Sequence, residues 1–246
     1  MDPLSTSLFS FYGCKWSVDV QDLKVNPISE WRVQRTRNAI REIVETRQIS
    51  RLYHFTRFEN IGGILSYGLR SVDGLEYAGI PFIPTDTMRL DGLLSGISLS
   101  IHSLNFLMFE KKQRTSVGEW AVIELDAALL WELDCRFLWK NAASKQIRDH
   151  RGFLGGPWAF ERMFSGTDHE RQGKPDREPT DIQAEVQVME TISPDYVLDF
   201  TVRSLSVREL LLEEMSRSGY QRPVAVNSAI FKSPTASPYQ ASVYAR

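Results

Sequence analysis

The chain has 246 residues, 42% hydrophobic and 24% charged, with a formal net charge of −2. This length holds one large domain or two small ones, and the composition is that of an ordinary globular protein. Near-neutral charge removes any global electrostatic case for nucleic-acid or membrane binding and leaves only a local one.

Residues 1–28 read as an N-terminal extension; its start, Met1-Asp2-Pro3-Leu4-Ser5-Thr6, lacks the basic-then-apolar pattern of a secretory signal. No apolar run approaches the length of a membrane span. Cys14 and Cys135 are the only cysteines and sit far apart, which suits a reducing compartment and offers no metal spacing. The expected location is the cytoplasm, with no membrane contact and no metal. A helix is predicted over 29–47, capped by Ser29, with Trp31, Val33, Ile40, Ile43 and Val44 at apolar positions. Arg32, Arg35, Arg37, Arg41, Arg47, Arg51 and Arg57 line this region, as a solvated helix face or as a local basic patch.

Arg51 to Thr56 reads as a short strand, running into a short helix from Phe58 that stops at Gly68. Residues 71–96 are rich in Gly, Pro, Asp and Ser; a loop of that length is functional or hides an element. Ile97–Ile101 alternates as a strand, Leu104–Lys112 starts a helix, and Trp120–Leu125 is a strong strand signal. Ala127–Leu133 is a helical turn leading to Phe137-Leu138, and residues 165–180, the most polar segment, read as an exposed, mobile loop. Tyr196–Val202 gives a further strand, Val207–Met215 a last helix, and 221–246 a weakly ordered tail. One domain over 29–220 results, of α+β class, with no Gly-rich turn of the Rossmann or P-loop kind.

The most informative stretch is Asp181 to Val188. Ile182, Ala184, Val186 and Val188 alternate with Gln183, Glu185 and Gln187, a polar row on one strand face. Such a row marks either an antiparallel edge strand with one wet face or a ligand cleft in which Glu185 is the working acid.

Three pieces, taken together, resemble the DarT family of ADP-ribosyltransferase toxins, which modify bases in single-stranded DNA. The first is Leu52-Tyr53-His54-Phe55-Thr56 followed by Asn60-Ile61-Gly62-Gly63-Ile64-Leu65-Ser66-Tyr67-Gly68-Leu69. The second is Arg89-Leu90-Asp91-Gly92 with Ile97–Ile101 and Asn105–Lys112, and the third is the polar loop leading into Gln183-Ala184-Glu185-Val186. The resemblance implies a split, mostly antiparallel sheet with flanking helices and a NAD cleft between its halves, NAD serving as co-substrate.

It also implies roles. His54 and Thr56 would contact NAD, and Arg89 would be the catalytic arginine, its guanidinium suited to a pyrophosphate. Phe109, or the nearby Phe106, would stack on nicotinamide. Glu185 would be the catalytic carboxylate: expelling nicotinamide builds positive charge on the ribose, and an anion held close in a dry site lowers that barrier. Gln183 would help choose the acceptor. His169, Arg171, Lys174 and Arg177 would meet DNA phosphates while a base stacks on Trp158 or Phe164.

Many thymine-modifying members carry a His-Asp-Tyr-Val-Pro-Phe-Tyr-Phe-like stretch where this chain has Ser98 to Asn105. That departure points to the guanine-modifying branch. The resemblance further implies a toxin paired with an ADP-ribosyl-glycohydrolase antitoxin, a macrodomain or related fold. Rival readings are a transferase acting on protein or RNA, a non-catalytic NAD-binding module, and a plain structural domain.

Overall fold

The computed structural model describes residues 27–85 and 95–231. Contacts divide the chain into two units, Met1–Arg35 and Thr36–Arg246, with the boundary inside the first helix, α1 (Pro27–Thr46). Within the first unit, Arg35 lies over the Trp31 ring at 5.3 Å.

In the second unit, Ile40 and Val44, one turn apart, are the buried residues of α1, and Arg37 and Arg41 are exposed. These two arginines make an exposed helix face that still reaches its own unit, Arg37 donating to Glu132 O at 3.0 Å and Arg41 lying over the Trp131 ring at 5.8 Å. Arg47, Arg51 and Arg57 do not belong to it. Arg47 donates to Asp176 O and lies over Phe164, Arg51 pairs with Glu124, and buried Arg57 pairs with Glu59.

The elements that follow are β1 (Arg51–Arg57), α2 (Ile61–Tyr67), α3 (Val72–Ala78), β2 (Ile97–Ile101), α4 (Phe106–Thr115), β3 (Trp120–Asp126), α5 (Leu129–Glu132) and β4 (Cys135–Leu138). Then come α6 (Lys145–Arg148), α7 (Pro157–Arg162), α8 (Asp168–Arg171), β5 (Glu185–Val188), β6 (Val197–Val202), α9 (Leu205–Arg217) and β7 (Val224–Val226). Among the described residues the strands form one sheet of seven in the order β4-β5-β2-β1-β3-β6-β7. Every neighbouring pair is antiparallel except β6 and β7. This is the expected α+β architecture.

β3 shows why the sheet is covered on both faces. Ala121, Ile123 and Leu125 enter the larger core, while Trp120 and Val122 enter a smaller one with Leu104, Phe109 and Phe231. Strand alternation sends successive side chains to opposite cores, so β3 reads as a continuous apolar run. At the far end of β1, Arg51 bridges Glu124 on β3 and Asp199 on β6, which are Cα partners.

Two segments differ from expectation. The 71–96 loop begins with a helix, α3. Ser71 Oγ accepts from Gly74 N at 3.2 Å, and Gly79, at φ 63°, ends it in the left-handed region that glycine tolerates. The tail also stays ordered past 220: β7 pairs in parallel with β6, and Phe231 is buried in the smaller core.

Candidate active site

The sheet divides between β1 and β2. These strands pair only at Leu52↔Ile101 and Tyr53↔Ser100, whereas β3 pairs with β1 along its whole length. Where the ladder stops, His54 Nδ1 lies 3.0 Å from Ser98 O. A carbonyl only accepts, so Nδ1 carries the proton, and in the neutral ring Nε2 is then the acceptor nitrogen. The half-buried imidazole is thus fixed in orientation and tautomer at the mouth of the split.

Thr56 follows two positions on, on the same strand face, and is buried. Its Oγ1 accepts from Asn60 Nδ2 at 3.1 Å. Asn60 also donates to Ile83 O at 2.9 Å and accepts from Ile83 N at 2.7 Å, pairing with that backbone as a neighbouring strand would. It fastens the segment that enters residues 86–94. Arg89, the expected catalytic arginine, lies outside the described residues.

Across the split, Ser98 is the Cα partner of Gln187 on β5, and Glu185 stands two residues before it. Glu185 is half-buried, faces Leu138 in the ladder, and its Oε1 accepts from Ala142 N at 2.7 Å. The carboxylate is therefore held by the loop that leaves β4. The expected strand is shorter than its alternation, because Asp181 imposes a turn. Its Oδ1 accepts from Gln183 N at 2.8 Å, its carbonyl from Ala184 N at 3.0 Å, and its Oδ2 meets Lys140 Nζ at 3.1 Å. Gln183 consequently sits in a turn beside the strand instead of in the polar row, and Gln187 is buried at 1% exposure.

Phe109 is corrected by its surroundings. The ring is 1% exposed and enclosed by Phe55, Trp120 and Phe231 at 4.9, 5.7 and 5.6 Å, so it is a core aromatic with no face for nicotinamide. Phe106, one helical turn earlier, is half-buried.

The 165–180 loop is folded on itself. Thr167 and Glu170 form a capping box that starts α8, and Thr180 N donates to Met163 O at 2.8 Å. Arg171, expected on DNA phosphates, donates to Pro175 O at 2.9 Å and Glu178 O at 2.6 Å. Lys174 donates to Thr180 O, and burial pushes its pKa down. These two cations bind the carbonyls of their own loop. His169 and Arg177 remain exposed. Trp158 is 59% exposed, on α7. The roles of Asn60 and Asp181 were not assigned from the sequence: Asp181 is readable as a turn-former two residues before Gln183, and Asn60 stood there only as the first residue of a motif.

A seven-stranded α+β sheet thus opens beside a histidine fixed on β1, with a glutamate on the facing half. Residues 53–232 match the family model for DarT, ssDNA thymidine ADP-ribosyltransferase, and the chain belongs to that family. Solved structures share the fold. The Thermosipho africanus DarTG structure with ADP-ribose is 17% identical, over 76% of this chain and 52% of that one, with TM-score 0.55. Thermus sp. 2.9 DarT with NAD+ is 14% identical over 74% of this chain and 97% of that one, TM-score 0.52. The same Thermus protein with ADP-ribosylated ssDNA gives 15% identity over 75% and 97%, TM-score 0.52. This chain therefore spans about half the length of the Thermosipho chain and nearly all of the Thermus one. No curated protein matches it.

Proposed function

We propose that this chain transfers ADP-ribose from NAD to a base of single-stranded DNA, guanine in preference to thymine, as the toxin of a toxin–antitoxin pair. The observation that carries the reading is the opening of the sheet between β1, which holds His54, and the half made by β2, β5 and β4, which holds Glu185. Family membership supports the reaction class, and the Thermus complexes with NAD+ and with ADP-ribosylated ssDNA support donor and acceptor.

NAD supplies the ADP-ribosyl group through its nicotinamide–ribose bond. Glu185 accepts a hydrogen bond from a ribose hydroxyl and stabilises the positive charge that grows as that bond breaks. It then takes the proton released when the base nitrogen attacks. Glu185 stands on a strand, which positions a carboxylate better than a loop does, and the hydrogen bond from Ala142 N holds it there. His54 and Thr56 line the NAD side of the split, Arg89 binds the pyrophosphate, and Phe106 takes the nicotinamide-stacking role in place of Phe109. Gln183, His169 and Trp158 face the DNA, while Arg171 and Lys174 serve by holding the loop in shape.

The preference for guanine rests on Ser98 to Asn105. Ser100 Oγ accepts from Asn105 N at 3.3 Å, and Asn105 caps α4 through Met108 N, in a turn where His102 has φ 59°. The family description names thymidine, so the base is tested directly. Oligonucleotides with guanine or thymine as the sole purine or pyrimidine variable are incubated with NAD and read by mass spectrometry. An adduct on the guanine strands supports the reading; adducts on thymine strands alone overturn the base. Modification of RNA or protein with none of DNA overturns the acceptor. An antitoxin with ADP-ribosyl-glycohydrolase activity, of macrodomain or related fold, is the expected partner and should remove the adduct.

A further inference from the structure

A second cluster of rings begins where the catalytic carboxylate is held. Leu138 is the ladder partner of Glu185, and the next residue, Trp139, stands edge-on to His150 (5.1 Å, 88°) and to Trp158 (5.7 Å, 82°). His150 and Trp158 lie nearly parallel, with centroids 5.9 Å apart and planes at 12°. Trp158 is thus braced by two rings on the protein side, yet it is 59% exposed.

Phe153, 77% exposed, lies against Gly155 and Gly156, where an added Cβ would come within 2.7 and 3.4 Å of its ring. Phe153 and Trp158 are exposed rings close in sequence, on either side of Gly155 and Gly156, and an exposed ring braced by others, as Trp158 is, marks an interaction surface. Exposed Arg148 and Arg151 flank them in sequence. Rings interleaved with cations suit a single strand, whose unstacked bases lie on aromatic faces while phosphates meet guanidinium groups. A duplex, with its bases already stacked, has no use for such a ring, and an acidic peptide needs only the charges.

We infer that Trp158, braced by Trp139 and His150, is the stacking platform for a nucleotide next to the modified base, with Arg148 and Arg151 on its phosphates. This deepens the proposed function and rests on it. The loop from Trp139 to Ala142 ties the platform to Glu185 through the Ala142 N–Glu185 Oε1 hydrogen bond, so a base on Trp158 sets the position of its neighbour relative to the carboxylate.

The test is a double-mutant cycle in the full chain carrying Glu185→Ala, so that binding is read without turnover. A fluorescent single-stranded oligonucleotide that the unmutated protein modifies is titrated against proteins with and without Trp158→Ala. A second oligonucleotide has an abasic site at a flanking position. Trp158→Ala should weaken binding about tenfold or more, the usual loss for a stacking ring. The abasic site should weaken binding similarly when Trp158 is present and add little when it is gone, and Trp158→Phe should recover most of the affinity. Unchanged affinity in Trp158→Ala, or losses that multiply independently at every flanking position, overturns the platform while leaving the transferase reading intact. Failure of the unmutated protein to modify any single-stranded DNA overturns both.

Discussion

Asp199 lies on β6 opposite Glu124 of β3, and its Oδ1 is buried with no hydrogen-bond partner among the described residues. Burial first, and the Glu124 charge second, push its carboxyl from 3.8 up to about 6, against the opposing pull of Arg51. Between those values the folded chain keeps a proton that the unfolded chain has released. The site's contribution to stability is therefore complete below about pH 4 and is lost as pH rises through about 6. A shift of this size corresponds to about 3 kcal/mol. The side chain is 23% exposed, and solvent screening reduces this to about 1–2 kcal/mol. Asp199→Asn removes the charge, keeps the shape and sets an amide donor beside Glu124. The variant should gain about 1–2 kcal/mol at pH 8, roughly 3–6 °C in Tm for a domain of this size, and almost nothing at pH 4. Thermal or urea unfolding of both proteins at the two pH values measures it. An equal change at both, or a loss at pH 8, refutes the reasoning.

Asn60→Ala removes the hydrogen bonds to Ile83 and Thr56 and should weaken NAD binding about tenfold, at roughly 1–2 kcal/mol for the lost polar contacts; calorimetry with unchanged NAD affinity contradicts this. Arg171→Lys keeps the charge but not the fork that reaches Pro175 and Glu178 together, so residues 165–180 should become sensitive to limited proteolysis. Wild-type resistance in that variant means the loop is held by something else. Cys135 is buried, and burial, then the charges of Asp134 and Glu190, push its thiol pKa far up. It should resist alkylation in the folded protein and react only on unfolding, and rapid labelling of Cys135 at neutral pH would count against the packing described.

The strands were legible because period-two alternation and burial agree: β1, β2, β3 and β6 lie where Arg51–Thr56, Ile97–Ile101, Trp120–Leu125 and Tyr196–Val202 placed them. α3 was hidden because seven residues are too few to show a helical period, although Ser71 and Gly79 are its cap and its stop. β5 was drawn too long because Ile182 and Gln183 continue the alternation, while Asp181 uses both its carboxylate and its carbonyl to bend the chain there. At the candidate site, Glu185 stood out as a carboxylate in the polar row of an alternating strand, whereas His54 entered only with the family resemblance. Phe109 has the spacing of either a core or a ligand-facing aromatic, and only the positions of Phe55, Trp120 and Phe231 decide between them. Arg171 and Lys174 show the same limit for charge: composition reveals a cation, and tertiary folding determines whether it meets a phosphate or its own loop's carbonyls.

The central claim is that Glu185 drives transfer of ADP-ribose to a DNA base. Mixed-sequence single-stranded oligonucleotides incubated with NAD and the protein, beside Glu185→Gln, are read by mass spectrometry, with NAD binding followed in parallel. The account predicts an ADP-ribose adduct on one base with the unmutated protein, a rate at least about a hundredfold lower in the variant, and NAD affinity changed little. Adduct formation at an equal rate in Glu185→Gln, or none in a folded, NAD-binding protein, contradicts it.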